Sequence, residues 1–252
     1  MKIAYRNTVA NLTGKAGTAA LLIAMGALLA MPAAAQYKEI AVANGGSISG
    51  SIKSKGKLPA DEMKVVSKNP EQCGAKIAAQ KYVGGAGGVR YAVVMIEKIA
   101  EGKKAPAGDI FYDNEKCMFT PHVLVAPVGA TLKVRNDDDM LHNSHFYLME
   151  GAAKKNLINM ALPKKGQVVE NTKILRKEGL VSVQCDAHDF MQGYIWAVAN
   201  PYAAVTGESG DFKLTDVPAG TYTLKIWHEA LGEKTVSVKV ETGKDAKVSV
   251  EL

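Results

Sequence analysis

The sequence predicts an all-β chain, and two observations carry that prediction. Short β-branched or alternating apolar runs at residues 91–96, 123–125, 131–134, 180–184 and 193–198 are separated by Gly, Pro and Asn turn signals. From Pro201 onward strands recur at regular spacing, with turns at residues 207–210 and 217–220, and no further Cys appears. A third observation fixes the compartment. Lys2, Arg6 and Lys15 precede an apolar run over 19–31 and then Ala33, Ala34 and Ala35, the pattern of a secretory signal and its cleavage site.

Residues 1–35 are therefore expected to be a signal peptide, with Gln36 as the mature N-terminus and a periplasmic location. The alternative is an uncleaved anchor, since the run, though short, is not far below the roughly 20 residues that span a bilayer. No second run of that kind follows, so no membrane span is expected in the mature chain. The 31 Lys and Arg residues stand against 25 Asp and Glu. Losing the three leader cations leaves 28 against 25, a net +3 on 217 residues. Neither a clustered basic face nor aromatic platforms are visible, which excludes a nucleic-acid binder.

Along the mature chain, residues 45–52 (GGSISGSI) read as a strand ending in a turn before Gly56 and Pro59. Residues 69–80 carry turn residues, Cys73 and a short helical possibility. Residues 84–88 (GGAGG) read as a loop, 91–96 as a buried strand, and 101–108 as solvated loop. The runs 123–125 and 131–134 are strands joined by a Pro-Val-Gly turn, which puts His142 just past a strand end. Residues 180–184 lead into Cys185, and residues 193–198 lead away from Met191.

That loop holds the chemistry. Cys185, His188 and Met191 offer a thiolate, an imidazole and a thioether with two residues between each. Two imidazoles and a thiolate in a plane, with a long axial Met, make a blue-copper centre, and the segment 136–146 can supply the second imidazole. Three Cys in an exported chain leave one unpaired. Taking Cys185 as that one leaves Cys73 and Cys117 as a disulfide, reasonable in an oxidising compartment. The alternative, Cys185 paired with either of the others, would make the His and Met spacing a coincidence.

The two segments resemble the cupredoxin family of type 1 copper proteins, in its amicyanin/plastocyanin-like branch. The likeness lies in the Cys185, His188 and Met191 spacing, in Asn136 six residues before His142, in Met140 two before it, and in His142, Asn143, His145 and Phe146. A lead-in at Phe119, Thr120, Pro121, Val125 and residues 129–136 extends it, so that it runs from about Phe119 to Val198. Asp186 and Asp189 depart from the family pattern. The resemblance implies a Greek-key β-sandwich with one type 1 copper held by His142, Cys185, His188 and Met191. It favours His142 over His145 as ligand, with His145 a hydrogen-bonded structural residue. It gives Asn136 the role of tying its loop to the ligand loop, and Asn143 that of placing a backbone N–H near the Cys185 sulfur.

The resemblance further implies an electron carrier, not an enzyme, because five His residues in all do not provide the second copper cluster of an oxidase or nitrite reductase. Expected partners are redox proteins such as a c-type cytochrome. They would dock on an exposed His188 edge ringed by Met140, Leu141 and Phe190 within a collar of Asp137, Asp138, Asp139, Asp186 and Asp189. The alternatives are a copper-binding or delivery protein and a non-redox structural surface protein. His122, five residues after Cys117, is a weak second-metal candidate, His228 reads as structural or exposed, and the Asp run lacks the spacing of a calcium loop.

In the C-terminal region, Ala204, Val205, Thr206, Gly210, Asp211, Phe212 and residues 216–224 resemble the carboxypeptidase regulatory-like family. That resemblance implies a small prealbumin-like β-sandwich without catalysis. The expected domains are thus 36–199, with copper and an N-terminal extension, and 200–252. About 50 residues is marginal for an independent core, so the second is expected to pack on the first, its sheet completed by the strand within 45–59.

Overall fold

The computed structural model describes residues 37–106 and 108–252; the expected signal peptide lies outside them. Among the described residues the regular elements are strands, apart from one short helix, Pro70–Cys73. Among the described residues no helix is long and apolar enough to cross a membrane.

Two sheets enclose the first core. One has four strands in the order Val168–Asn171, Leu132–Asn136, Ile110–Glu115, Met118–Thr120. The other has five in the order Ala153–Leu162, His142–Glu150, Gly179–Gln184, Gln192–Val198, Val123–Pro127. The strand His142–Glu150 shows the period-two logic plainly: His142, Ser144, Phe146 and Leu148 are buried and their neighbours half-exposed. Inward side chains such as Tyr112, Phe119, Leu132, Phe146 and Ile195 fill the space between the sheets. Gly193 admits Tyr112 to that core, because a Cβ there would overlap the Tyr112 hydroxyl.

The second sandwich pairs a four-stranded sheet, ordered Ala203–Val205, Val93–Ile96, Gly220–His228, Gly232–Val240, with a three-stranded one, ordered Asp211–Val217, Gly46–Lys53, Asp245–Glu251. Ile48, Ile52, Val94, Phe212, Leu224 and Ile226 form its core. The small residues of Gly46–Lys53 suit its central position, since a Cβ at Gly50 would run into the Val248 carbonyl of the parallel neighbour.

The division at residue 200 therefore needs correcting. Gly46–Lys53 is the middle strand of the three-stranded C-terminal sheet, and Val93–Ile96 lies between Ala203–Val205 and Gly220–His228. Residues 203–251 alone would leave both sheets without an inner strand and expose an unpaired backbone edge on each of four strands. The chain thus starts the second sandwich, builds the first, and returns to finish the second. Residues 36–252 form one compact unit. Val93, Met95, Val123, Trp196, Val198 and Trp227 make a third apolar cluster where the sandwiches meet. Trp196 and Trp227 pack there edge to face, with ring centroids 5.8 Å apart.

Residues 61–80 lie against the first sandwich. Met63–Val65 pairs with Lys76–Ala78, and Pro70–Cys73 sits between them. Cys73 is bonded to Cys117, and Cys185 is free and buried.

Candidate metal centre

His142 opens the strand His142–Glu150, and the sheet's alternation turns it into the core. Cys185 follows the last residue of Gly179–Gln184, whose register with His142–Glu150 sets His145 opposite Gln184. The loop then closes on itself as Met191 N–H donates to the His188 carbonyl at 3.0 Å. Cys185, His188 and Met191 are each 2% exposed and His142 is 0% exposed. Met191 belongs to the same buried cluster as Cys185 and Phe190.

The donor atoms converge. His142 Nδ1 lies 4.0 Å and His188 Nδ1 3.6 Å from Cys185 Sγ, and the two imidazole centroids are 4.9 Å apart. Nitrogen and sulfur ligands with bonds of about 2.0–2.3 Å to one ion span such separations. The outer nitrogens are already occupied: His142 Nε2 faces Asp138 Oδ2 at 2.9 Å and His188 Nε2 faces Asn69 Oδ1 at 3.0 Å. With acceptors outside, each neutral ring carries its proton on Nε2 and turns the Nδ1 lone pair inward. Asn143 N–H donates to Cys185 Sγ at 3.3 Å. One thiol and two inward Nδ1 atoms converge as a copper ion would need, and Met191 is buried in the same core as Cys185.

The electrostatics are those of a dry pocket. Burial pushes the Cys185 thiol up, against the N–H groups of Asn143, His188 and Ala187. Burial likewise holds His142 below the usual histidine range, although Asp138 opposes it. His188 is lowered by burial first, then by the fields of His142 and Lys68. Burial thus favours a protonated thiol and neutral imidazoles in the absence of metal, and a bound metal ion would displace the thiol proton. Cys117, Asp138 and His142 form a second converging group, but the Cys117 sulfur is spent in the disulfide. Asp138 there supports the histidine.

Several expectations need correction. His188 has no exposed edge, since Asn69 covers it. Asn136 does not reach the Cys185 loop; its amide donates to the carbonyls of Met140 and Leu162 and its oxygen accepts from Asp138 N–H, tying the His142 approach to the end of Ala153–Leu162. The aspartate collar is thinner than its sequence suggests. Asp138 turns inward and Asp137 pairs with Arg135, while Asp139, Asp186 and Asp189 stay exposed on the rim, Asp186 taking hydrogen bonds from His145 and Asn159. His145 points to the outer face, between Asp186, Asn156 and Tyr147. His122 pairs with Glu229. His228 is buried, accepting N–H groups of Ala230 and Leu231.

Sequence reasoning missed Asn69. Its signal was its place four residues before Cys73 in a stretch that promised only turns.

No curated protein matches the chain. One family model does, described as polysaccharide lyase family 4, domain II, over residues 178–248. That span runs from the last two strands of the first sandwich into the second, and the description differs from the carboxypeptidase regulatory-like family that the C-terminal motifs resemble. Solved structures similar to part of the chain include an amicyanin, a cupredoxin and a nitrite reductase. A reduced Cu(I) amicyanin variant is 26% identical over 38% of this chain and 87% of its own, with a TM-score of 0.30. A purple cupredoxin from Nitrosopumilus maritimus is 22% identical over 36% of this chain and 100% of its own, also at 0.30. A copper-containing nitrite reductase from Thermus scotoductus SA-01 is 20% identical over 41% of this chain and 25% of its own, at 0.29.

Proposed function

We propose that the protein is a periplasmic type 1 copper protein that carries single electrons between redox partners and performs no substrate chemistry. The observation that carries this reading is the meeting of His142 Nδ1, His188 Nδ1 and Cys185 Sγ within 4.8 Å of one another in the core. One copper held by His142, Cys185, His188 and Met191 would supply a one-electron couple between Cu(I) and Cu(II). The chain's own contribution is to hold the donors still. Strand ends fix His142 and Cys185, outer hydrogen bonds fix both rings, and burial keeps water from the sulfur. A site that rearranges little on gaining or losing charge suits electron transfer.

Covered ligands suit a carrier better than a delivery protein, which has to hand its metal on. The partners are other redox proteins, a c-type cytochrome among them, meeting the rim near Leu141, 45% exposed, and Asp139.

Visible absorption, EPR and voltammetry of the copper-loaded protein test the reading. Wild type should show an intense thiolate-to-copper band, narrow copper hyperfine splitting and a reversible one-electron wave, and Cys185→Ser should lose the band and the narrow splitting. A band that survives Cys185→Ser, or a wild type with no reversible wave, would sink it.

A further inference from the structure

The outer nitrogens of the two candidate ligand histidines are held by groups that one covalent link joins. Asn69, which accepts from His188 Nε2, sits in the left-handed region at φ 55 directly before Pro70–Cys73. Its own carbonyl accepts the N–H of Cys73 at 2.9 Å. Cys73 is bonded to Cys117. Cys117 N–H donates to Asp138 Oδ2 at 2.8 Å, and Lys116 N–H donates to Asp138 Oδ1 at 2.7 Å. That same Oδ2 faces His142 Nε2.

The turn that supplies these two N–H groups is held in an unfavourable form. Lys116 and Cys117 are both left-handed, at φ 52 and 58, in the two-residue connection between Ile110–Glu115 and Met118–Thr120. Such turns normally use Asn or Gly at those positions. Non-glycine residues persist there when their surroundings over-determine them, and they cluster where geometry serves function. Here the carboxylate and the disulfide supply the determination.

We infer that Asn69 and the Cys73–Cys117 link are positioning elements that clamp both imidazoles from outside, His188 through Asn69 and His142 through the Cys117-braced Asp138. The inference rests on the copper reading above and extends it. The clamp fixes the tautomer and direction of both rings before metal arrives, and it seals the His188 edge against exchange. Two pieces of chain distant from the ligand loop thereby govern metal retention. A disulfide that only stabilised the fold would leave the imidazole protons and the copper exchange rate alone.

The test uses the mature chain with 15N-labelled histidine. In copper-free wild type, His188 and His142 should each show an Nε2–H resonance protected from solvent exchange. Asn69→Gly keeps the left-handed backbone and deletes the acceptor. It should lose the His188 resonance, keep that of His142, and release copper to a chelator about 10-fold faster or more, as for other groups that orient metal ligands. Asn69→Asp should restore the resonance and slow release. The double variant Cys73→Ala with Cys117→Ala should weaken both resonances; should it not fold, the Gly and Asp variants decide alone. Unchanged His188 protection and unchanged release in Asn69→Gly would overturn the clamp. A wild type that gives the protected resonances but no thiolate-to-copper band would instead overturn the copper reading, because the resonances need no metal.

Discussion

His122 and Glu229 meet ring nitrogen to carboxylate with their side chains 1% and 3% exposed, 107 residues apart in sequence. His122 immediately precedes Val123–Pro127 of the first sandwich, and Glu229 follows Gly220–His228 of the second. Around them Tyr91 lies 5.1 Å and Tyr194 6.0 Å from the imidazole, centroid to centroid. The pair is thus a buried polar joint inside an aromatic setting between the two cores.

Removing one partner of such a joint leaves the other desolvated with nothing to bond. Glu229→Ala should therefore destabilise the protein by about 3–5 kcal/mol. Urea unfolding of the copper-free protein checks it, and a midpoint shift worth less than about 1 kcal/mol would show the joint to be hydrated or redundant.

Tyr112 is wholly buried and its hydroxyl has no hydrogen-bond partner among the described residues. Tyr112→Phe removes an unsatisfied polar group while keeping the ring that stacks on Phe119 at 5.5 Å. It should raise stability by about 1 kcal/mol or more. Gly193→Ala should destabilise, because its Cβ would meet that hydroxyl. In the double variant most of the loss should vanish, a coupling that a double-mutant cycle measures. Additive effects would mean that the two groups do not touch.

Acid should weaken the metal-free protein through His228. Burial depresses His228 below the usual histidine range, against Glu229 and a hydrogen bond to the Arg90 backbone, and His122 adds to the depression. Its Nδ1 accepts the N–H groups of Ala230 and Leu231, each at 3.2 Å, so a proton there would break both. The unfolded chain titrates near pH 6.5 and the folded one lower. Between those values the unfolded state binds more protons, so stability is full above about pH 6.5 and falls as pH drops toward the folded value. His142 and His188, also depressed, add slope of the same sign. Urea midpoints from pH 8 to 5 should fall for wild type and fall less steeply for His228→Asn, which keeps an acceptor. Equal slopes would remove His228 from the account.

The Cys73–Cys117 bond closes a loop across a sequence separation of 44. Its loss should cost about 3–5 kcal/mol in the chain-entropy model. Unfolding of Cys73→Ala with Cys117→Ala measures this, and peptide mapping of unreduced wild type should recover the linked pair. Free thiols at both positions in air-purified protein would contradict the structure.

The donor set was legible because its spacing is local. Cys185, His188 and Met191 share one loop after an alternating strand, and His142 stands at a strand end with Asn143 beside it. Cys73 and Cys117 followed from the odd cysteine count. What lay hidden was made at long range. Asn69 reaches His188 across 119 residues, and nothing in a run of turn residues says which histidine it will cover. The strand within 45–59 completes the C-terminal sheet as expected, but Val93–Ile96 reads only as a buried strand, since a run of apolar residues tells that a strand is covered and not which strands flank it. The exposed strand Ala153–Leu162, with lysines at 154 and 155, lacked the apolar alternation that would have marked it.

The placement of Gly46–Lys53 between Asp211–Val217 and Asp245–Glu251 also sets an order of events. Ser47 lies opposite Asp245, 198 residues later. As the chain emerges from its N-terminal end, the first sandwich has its strands from 110 to 198 in hand well before the second can close. The early strands Gly46–Lys53 and Val93–Ile96 must wait with unpaired edges until the last fifty residues arrive. Non-local pairings of this kind are slow to form and expose sheet edges meanwhile. The candidate donors can therefore assemble while the rest of the molecule is still open, and a chain cut short near residue 200 would carry His142, Cys185 and His188 together with two orphaned strands.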